Sequence, residues 1–225
     1  MTEEKQEKKK TEYVQIEGQT CDFVARPPSP NEEGDSRWFF QYSFYVRSEK
    51  VKKIQEAIHR KLYTIPLAKI KTLGTRVLEV GCGPGLESLI LQHDGLFAVA
   101  TDIDAEIPAK ILVPMGIERI VRCDAAVLPF KDKSFDLVYS CGVMEHFSDD
   151  IVKTMLAEQV RVAKYAYFEV PLLELRIITP HLWDQGEYWY TREEWVGKVM
   201  EMGFKIVDTT SREWNTYLGA VLCSQ

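Results

Sequence analysis

The chain has 225 residues, 45% of them hydrophobic and 28% charged, and 28 basic against 34 acidic residues leave a net charge of −6. That is enough apolar material for one sizeable core, which excludes a disordered chain or a stapled miniprotein, and the acidic balance argues against nucleic acid as a partner. The five cysteines (Cys21, Cys82, Cys123, Cys141, Cys223) are odd in number, widely spaced and without a CxxC pair, which argues against a disulfide framework and against a bound metal. The start is too polar for a signal peptide and no apolar run approaches ~18 residues, so a cytoplasmic setting with no membrane partner is expected.

Three regions are expected along the chain. Residues 1–12 (MTEEKQEKKKTE) have no apolar residue after Met1 and read as a disordered tail. Residues 13–69 read as an N-terminal cap. It begins with a mixed stretch containing Arg26-Pro27-Pro28-Ser29-Pro30, followed by an aromatic cluster, Trp38 to Tyr45. Val51, Ile54, Ile58 and Leu62 then recur at helical spacing, which predicts one amphipathic helix from Ser48 to about Tyr63, with Pro66 where it should stop. The window Arg47 to Arg76 holds nine basic and two acidic residues, +7 within an acidic chain, and reads as the solvated face of that helix.

Residues 70–225 read as the main domain. Apolar runs at Arg76–Val80, Phe97–Thr101, Arg119–Arg122, Phe135–Ser140 and Ala163–Val170 alternate with helical stretches at Leu86–His93, Ala105–Met115 and Asp150–Val160. Near-continuously apolar strands separated by helices predict an α/β fold with a parallel sheet covered on both faces. A capping box at Thr191 and Glu194 opens a helix that Gly203 ends. The closing runs Phe204–Thr210 and Thr216–Cys223 are too close for a crossover and predict an antiparallel hairpin.

The stretch Val77 to Gly85, VLEVGCGPG, carries the chemistry. A strand runs into Gly81, Gly83 and Gly85 and straight on into a helix, a turn that lets the backbone approach a ligand with no Cβ in the way. Asp102 follows at the end of the second strand, where a carboxylate can accept from both ribose hydroxyls. The spacing is GxGxG rather than the dinucleotide GxGxxG, Pro84 removes one N–H donor, and Glu87 would repel a pyrophosphate. A nucleoside with a cationic sulfur suits such a turn better than NAD does.

This segment resembles motif I of class I S-adenosylmethionine-dependent methyltransferases of the small-molecule type, and the likeness continues along the chain. TDID (Thr101–Asp104) resembles their ribose-binding motif, RCDAAVLPF (Arg122–Phe130) their adenine-contacting motif, and SFDLVYSCGVMEHF (Ser134–Phe147) their fourth strand and its exit. HLWDQGEYWYTREEWVGKVMEMGF (His181–Phe204) is similar to the segment before their last two strands. The resemblance implies a Rossmann-like, doubly wound, seven-strand, mostly parallel sheet with an antiparallel C-terminal hairpin strand. It implies S-adenosyl-L-methionine as cofactor, with Gly81 and Gly83 along its methionine part and Glu79 near the amino group. It also implies Asp102 on the ribose, Ile103 on the adenine face, Asp124 and Ala125 at the adenine edge, and Ser140 and Cys141 beside the sulfonium through their backbone.

On the acceptor side His146, past the fourth strand, is the candidate general base, with ordering of the loop by Glu145-His146-Phe147 as the alternative. His181 is a second candidate. Trp183 and Tyr188 are candidate substrate contacts, in a cover able to wall an apolar or cation-accepting pocket. The expected acceptor is a small molecule. A protein side chain, an NAD-dependent oxidoreductase and a non-catalytic cofactor-binding subunit stay open as alternatives.

Overall fold

The computed structural model describes residues 12–16, 19–23, 49–83, 85–103, 116–179, 186–212 and 215–223. A short antiparallel hairpin comes first, β1 (Glu12–Ile16) with β2 (Gln19–Phe23). Two helices follow, α1 (Glu49–Leu62) and α2 (Thr64–Leu73), and then the main sheet begins with β3 (Arg76–Val80). Chain order continues through α3 (Leu86–His93), β4 (Phe97–Asp102), β5 (Ile120–Arg122), β6 (Phe135–Cys141), α4 (Asp149–Val162) and β7 (Ala163–Pro171). It closes with α5 (Leu173–Ile178), α6 (Arg192–Glu201), β8 (Ile206–Ser211) and β9 (Tyr217–Cys223).

The seven strands lie in the order β5-β4-β3-β6-β7-β9-β8. Pairing is parallel from β5 through β7, while β9 runs antiparallel to both β7 and β8. This is the expected doubly wound sheet with its antiparallel closing strand. Because both faces are covered, the central strands are buried along nearly their whole length, which is why they read as continuous apolar runs. On one face Leu67 and Ile70 of α2 and Ile90 and Leu91 of α3 pack with Val77, Leu137 and Tyr167. On the other, Met155 and Leu156 of α4 and Trp195 and Val199 of α6 pack with Phe168 and Val170.

The expected boundaries of β3 and α3 match those observed, and the capping box of α6 is formed: Thr191 Oγ1 accepts from the Glu194 N–H at 3.3 Å and Glu194 Oε2 from the Thr191 N–H at 2.8 Å. Three expectations need correction. α1 ends at Leu62, as expected, but a second helix follows at once and Pro66 stands in its first turn, where the missing N–H would have had no intrahelical partner. The mixed stretch after residue 12 contains the β1–β2 hairpin, and α5 was not expected. The stripe of α1 does not face the core at its C-terminal half, since Ile58 and Leu62 are 54% and 60% exposed.

The polar side of α1 is what packs. Arg60 bonds Glu56 at 2.8 Å and Asp94 at 3.1 Å, and His59 lies against α3. The basic window is thus used in stapling the N-terminal helices to the body: Lys71 also pairs with Asp94, and Lys69 pairs with Asp208 of β8. The expected helix at 105–115, the aromatic cluster Trp38–Tyr45, Pro84, His181 and Trp183 lie outside the described residues.

Candidate active site

The parallel ladder between β3 and β6 ends at Glu79↔Tyr139, whereas β6 goes on pairing with β7 to Cys141↔Glu169. A crevice therefore opens beyond the C-terminal ends of β3 and β6, at the point where the strand order reverses. The turn on its β3 side is built by Gly81, Gly83 and Gly85, with φ of +69°, +48° and +65°. A Cβ on Gly81 would stand 2.7 Å from Val143 Cγ2, so the loop after β6 approaches the turn as closely as glycine permits.

The turn is tied to its neighbours by three contacts. The Cys82 N–H donates to the Thr101 carbonyl at 2.9 Å, the Thr101 hydroxyl donates to the Glu79 carbonyl at 2.6 Å, and the Gly83 N–H donates to Asp102 Oδ2 at 2.8 Å. Asp102 is thereby held at the end of β4, over the crevice. Ile103, next to it, leaves its apolar side chain 44% exposed. At the end of β5, Asp124 Oδ1 accepts the Ala126 N–H at 2.8 Å, and Asp124 bridges to Val127, so it and Ala125 form a tight turn on the far side of Asp102.

Glu79, the next-to-last residue of β3, is buried beside the turn. Its Oε2 accepts the Ser88 N–H at 3.0 Å in the first turn of α3, where a carboxyl satisfies an otherwise orphaned donor. Burial, and then the charge of Glu87, pushes the Glu79 carboxyl well above the usual carboxylate range. Glu87 Oε2 lies 3.1 Å from His59 Nε2, an ion-pair distance without hydrogen-bond alignment.

On the same face of the sheet, past Cys141, lies a group of residues that the sequence reading missed. Arg212, just after β8, is ion-paired to Glu169 of β7. Its guanidinium sits between two rings, 4.1 Å from that of Tyr63 and 4.2 Å from that of Tyr217. The Tyr167 hydroxyl donates to Glu169 Oε2 at 3.3 Å and lies 3.1 Å from Thr210 Oγ1. A sequence signal was present in part: Glu169 is the one charged residue in the otherwise apolar run Tyr165–Pro171. Nothing local pointed to Tyr63 or Arg212.

The turn after β6 holds Glu145 and His146. Glu145 is 3% exposed and its Oε2 has no hydrogen-bond partner among the described residues. Burial pushes its pKa up to about 8, and the charges of Glu187 and Glu169 add to the rise. His146 Nε2 lies 4.0 Å from Glu145 Oε1, and burial lowers the pKa of the imidazole. Tyr188 is 44% exposed and stacked near Tyr190, and its N–H donates to the Glu145 carbonyl at 2.6 Å. Cys141 opens onto the Arg212 group, its thiol pushed up by burial and by Glu169, whereas Ser140 faces α4, its Oγ accepting from Gln159 at 3.4 Å.

Residues 78–166 match the family model described as a methyltransferase domain. Over this stretch the chain is similar to that domain family. It is 32% identical over 120 residues to the ubiquinone/menaquinone biosynthesis C-methyltransferase UbiE of Xylella fastidiosa, covering 48% of this chain and 46% of that protein. It is 34% identical over 65 residues to the malonyl-[acyl-carrier protein] O-methyltransferase of Enterobacter lignolyticus, covering 29% and 26%. These matches thus span a quarter to just under half of the relatives' own lengths. The fold extends the likeness: magnesium protoporphyrin IX methyltransferase from Synechocystis PCC 6803, solved with bound S-adenosylhomocysteine, superposes with a TM-score of 0.58 at 18% identity, over 87% of this chain and 96% of that one. Among the described residues, no helix is long and apolar enough to cross a membrane, and no three His, Cys, Asp or Glu side chains group as metal ligands.

Proposed function

We propose that this chain transfers a methyl group from S-adenosylmethionine to a small-molecule acceptor. The observation that carries the reading is the Gly81–Asp102 crevice, a side-chain-free cradle with a carboxylate fixed beside it at the switch point of the sheet. Gly81 and Gly83 would lie along the methionine part of the cofactor. Asp102 would accept from the ribose hydroxyls with the lone pairs that the Gly83 N–H does not use. Ile103 would pack on the adenine face, with Asp124 at the exocyclic amine and the Ala125 N–H toward the ring. Ser140 and Cys141 would contribute backbone near the sulfonium. Glu79 would lie below Gly81 and Gly83 near the amino group, with its Oε2 also holding the start of α3.

When bound, the cofactor supplies a methyl group on an already activated leaving group. The residues of the chain have to hold the acceptor in line with it, and such positioning is worth ~7–11 kcal/mol. His146 and Tyr188 would flank the side from which an acceptor would approach, and Trp183 is kept as a candidate contact from the sequence alone. The named activities of UbiE and of the malonyl-[acyl-carrier protein] enzyme support a small-molecule acceptor over a protein side chain. The free thiols of Cys82, Cys123, Cys141 and Cys223 are in keeping with a cytoplasmic reaction.

Calorimetric titration with S-adenosylmethionine and S-adenosylhomocysteine tests the reading, with ~micromolar affinity expected. Fluorescence titration with NADH discriminates the dehydrogenase alternative, and labelled cofactor in a fractionated extract identifies the class of acceptor. Cofactor binding with no transfer to any fraction would favour a non-catalytic subunit.

A further inference from the structure

Glu145 is a buried carboxyl placed where an acceptor would meet the cofactor. Its turn follows Cys141 at the mouth of the crevice, and its Oε1 lies 3.5 Å from where a Cβ would stand on Gly142. Gly142 is itself exposed, with φ of +69°, and carries no side chain of its own beside the carboxyl. Oε2 has no partner among the described residues, and a polar atom buried without a partner carries a free-energy cost that a ligand hydrogen bond would remove. His146, the expected base, lies beside this carboxyl at 4.0 Å and is the more exposed of the two.

The charges around Glu145 select the guest. Glu187 faces it from the segment before α6, Glu169 from β7, Tyr217 from β9 and His146 from its own turn. The nearby cation, Arg212, is committed to Glu169 and to the rings of Tyr63 and Tyr217. Lys198, at the outer side, is held by Asp149 at 2.5 Å and over the Tyr190 ring. Among the described residues a guest carboxylate would meet three carboxyl groups and a cation already committed to Glu169, whereas an ammonium would find carboxyl oxygens and aromatic faces.

We infer that Glu145 is the proton acceptor of the reaction and that the molecule methylated is an amine, bound as its ammonium form against Glu145 and the neighbouring tyrosines. The inference rests on the methyl-transfer reading above. In the step, the ammonium passes one proton to the Glu145 carboxylate. The freed nitrogen lone pair forms the N–C bond as the C–S bond of the sulfonium breaks, with its electron pair staying on sulfur. Glu145 then returns its proton to solvent. A base that titrates near the working pH suits this role, being ionised often enough to accept and basic enough to hold the proton.

The test uses the full chain saturated with S-adenosylhomocysteine and two probes that share a ring and a short side chain, tyramine and 3-(4-hydroxyphenyl)propionate. Calorimetry at pH 7 in buffers of different ionisation enthalpy reads both affinity and protons. Tyramine should bind at least ~10-fold more tightly than the carboxylate probe. With Glu145 at about 8, its binding should release most of one proton at pH 7 and progressively less as pH rises toward 9. Glu145→Gln should abolish the release, with S-adenosylhomocysteine binding as the check on folding, and the pH series on the unsubstituted protein gives the answer even if that variant misfolds. Preference for the carboxylate probe, no tyramine binding at millimolar concentration, or binding without proton release overturns the inference alone. Failure to bind S-adenosylhomocysteine overturns the methyl-transfer reading and the inference with it.

Discussion

The backbone N–H of Gly83 donates to Asp102 Oδ2 at 2.8 Å, which ties the glycine turn after β3 to the end of β4. The same carboxylate therefore shapes the turn and faces the crevice. Asp102→Ala removes a charge-assisted hydrogen bond worth ~1.5–3 kcal/mol and should weaken S-adenosylhomocysteine binding by about one to two orders of magnitude. Asp102→Asn keeps an oxygen for Gly83 and should unfold at the wild-type urea midpoint while still binding weakly. Calorimetric affinities of both variants at or near the wild-type value would show that Asp102 does not hold the ribose.

Gly81 combines a left-handed backbone with a close neighbour. Gly81→Ala should destabilise the fold by ~1–3 kcal/mol in urea unfolding, from backbone strain and from the collision with Val143. In a Val143→Ala background the collision is gone and the strain stays, so part of the loss should return. Full recovery would show that the positive φ contributes nothing.

The buried Glu145 carboxyl gives stability a pH dependence of known sign. Its folded pKa of about 8 lies above the ~4.3 of an unfolded glutamate, so the folded state holds the extra proton between those values. Its contribution is fully present below the unfolded pKa and is lost as pH rises to the folded one. Glu145→Gln should therefore gain on the wild type by ~1.4 kcal/mol per pH unit across that window, a few kcal/mol in all between pH 5 and 8. Urea unfolding of both proteins at pH 5, 6.5 and 8 measures this, and parallel pH profiles would contradict it.

Arg212 and Glu169 form a buried pair, so removing one charge strands the other. Arg212→Met alone should cost ~3–5 kcal/mol, and Arg212→Met with Glu169→Gln clearly less. A double-mutant cycle by urea unfolding reads the difference, and additive losses would mean that the two charges do not interact.

The sheet and the glycine turn beside Asp102 were legible in the sequence because their signals are local. A strand buried on both faces must be continuously apolar, as at Val77–Val80. Three glycines in five residues can serve only a turn that other residues resist, and Thr191 with Glu194 closes its cap within a single helical turn. The charged and aromatic group beyond Cys141 and the buried carboxyl after β6 were not legible in the same way. Tyr63, Glu145, Glu169 and Arg212 carry no common motif, and each taken alone reads as an ordinary aromatic, acid or base. The face of α1 was misread for a related reason: the apolar stripe ending at Leu62 obeys helical period, yet Asp94 and Glu87 draw the polar face inward.

What the sequence by itself determined was the order of strands and helices and the cradle at Gly81, Gly83 and Asp102, since backbone conformation and burial periodicity act between near neighbours in the chain. Only the tertiary structure decided that Tyr63 and Tyr217 would enclose Arg212, and that Glu145 would lose its water and so its ordinary acidity. Desolvation and charge pairing depend on distance in space, and the closing of a parallel sheet sets those distances between segments more than a hundred residues apart.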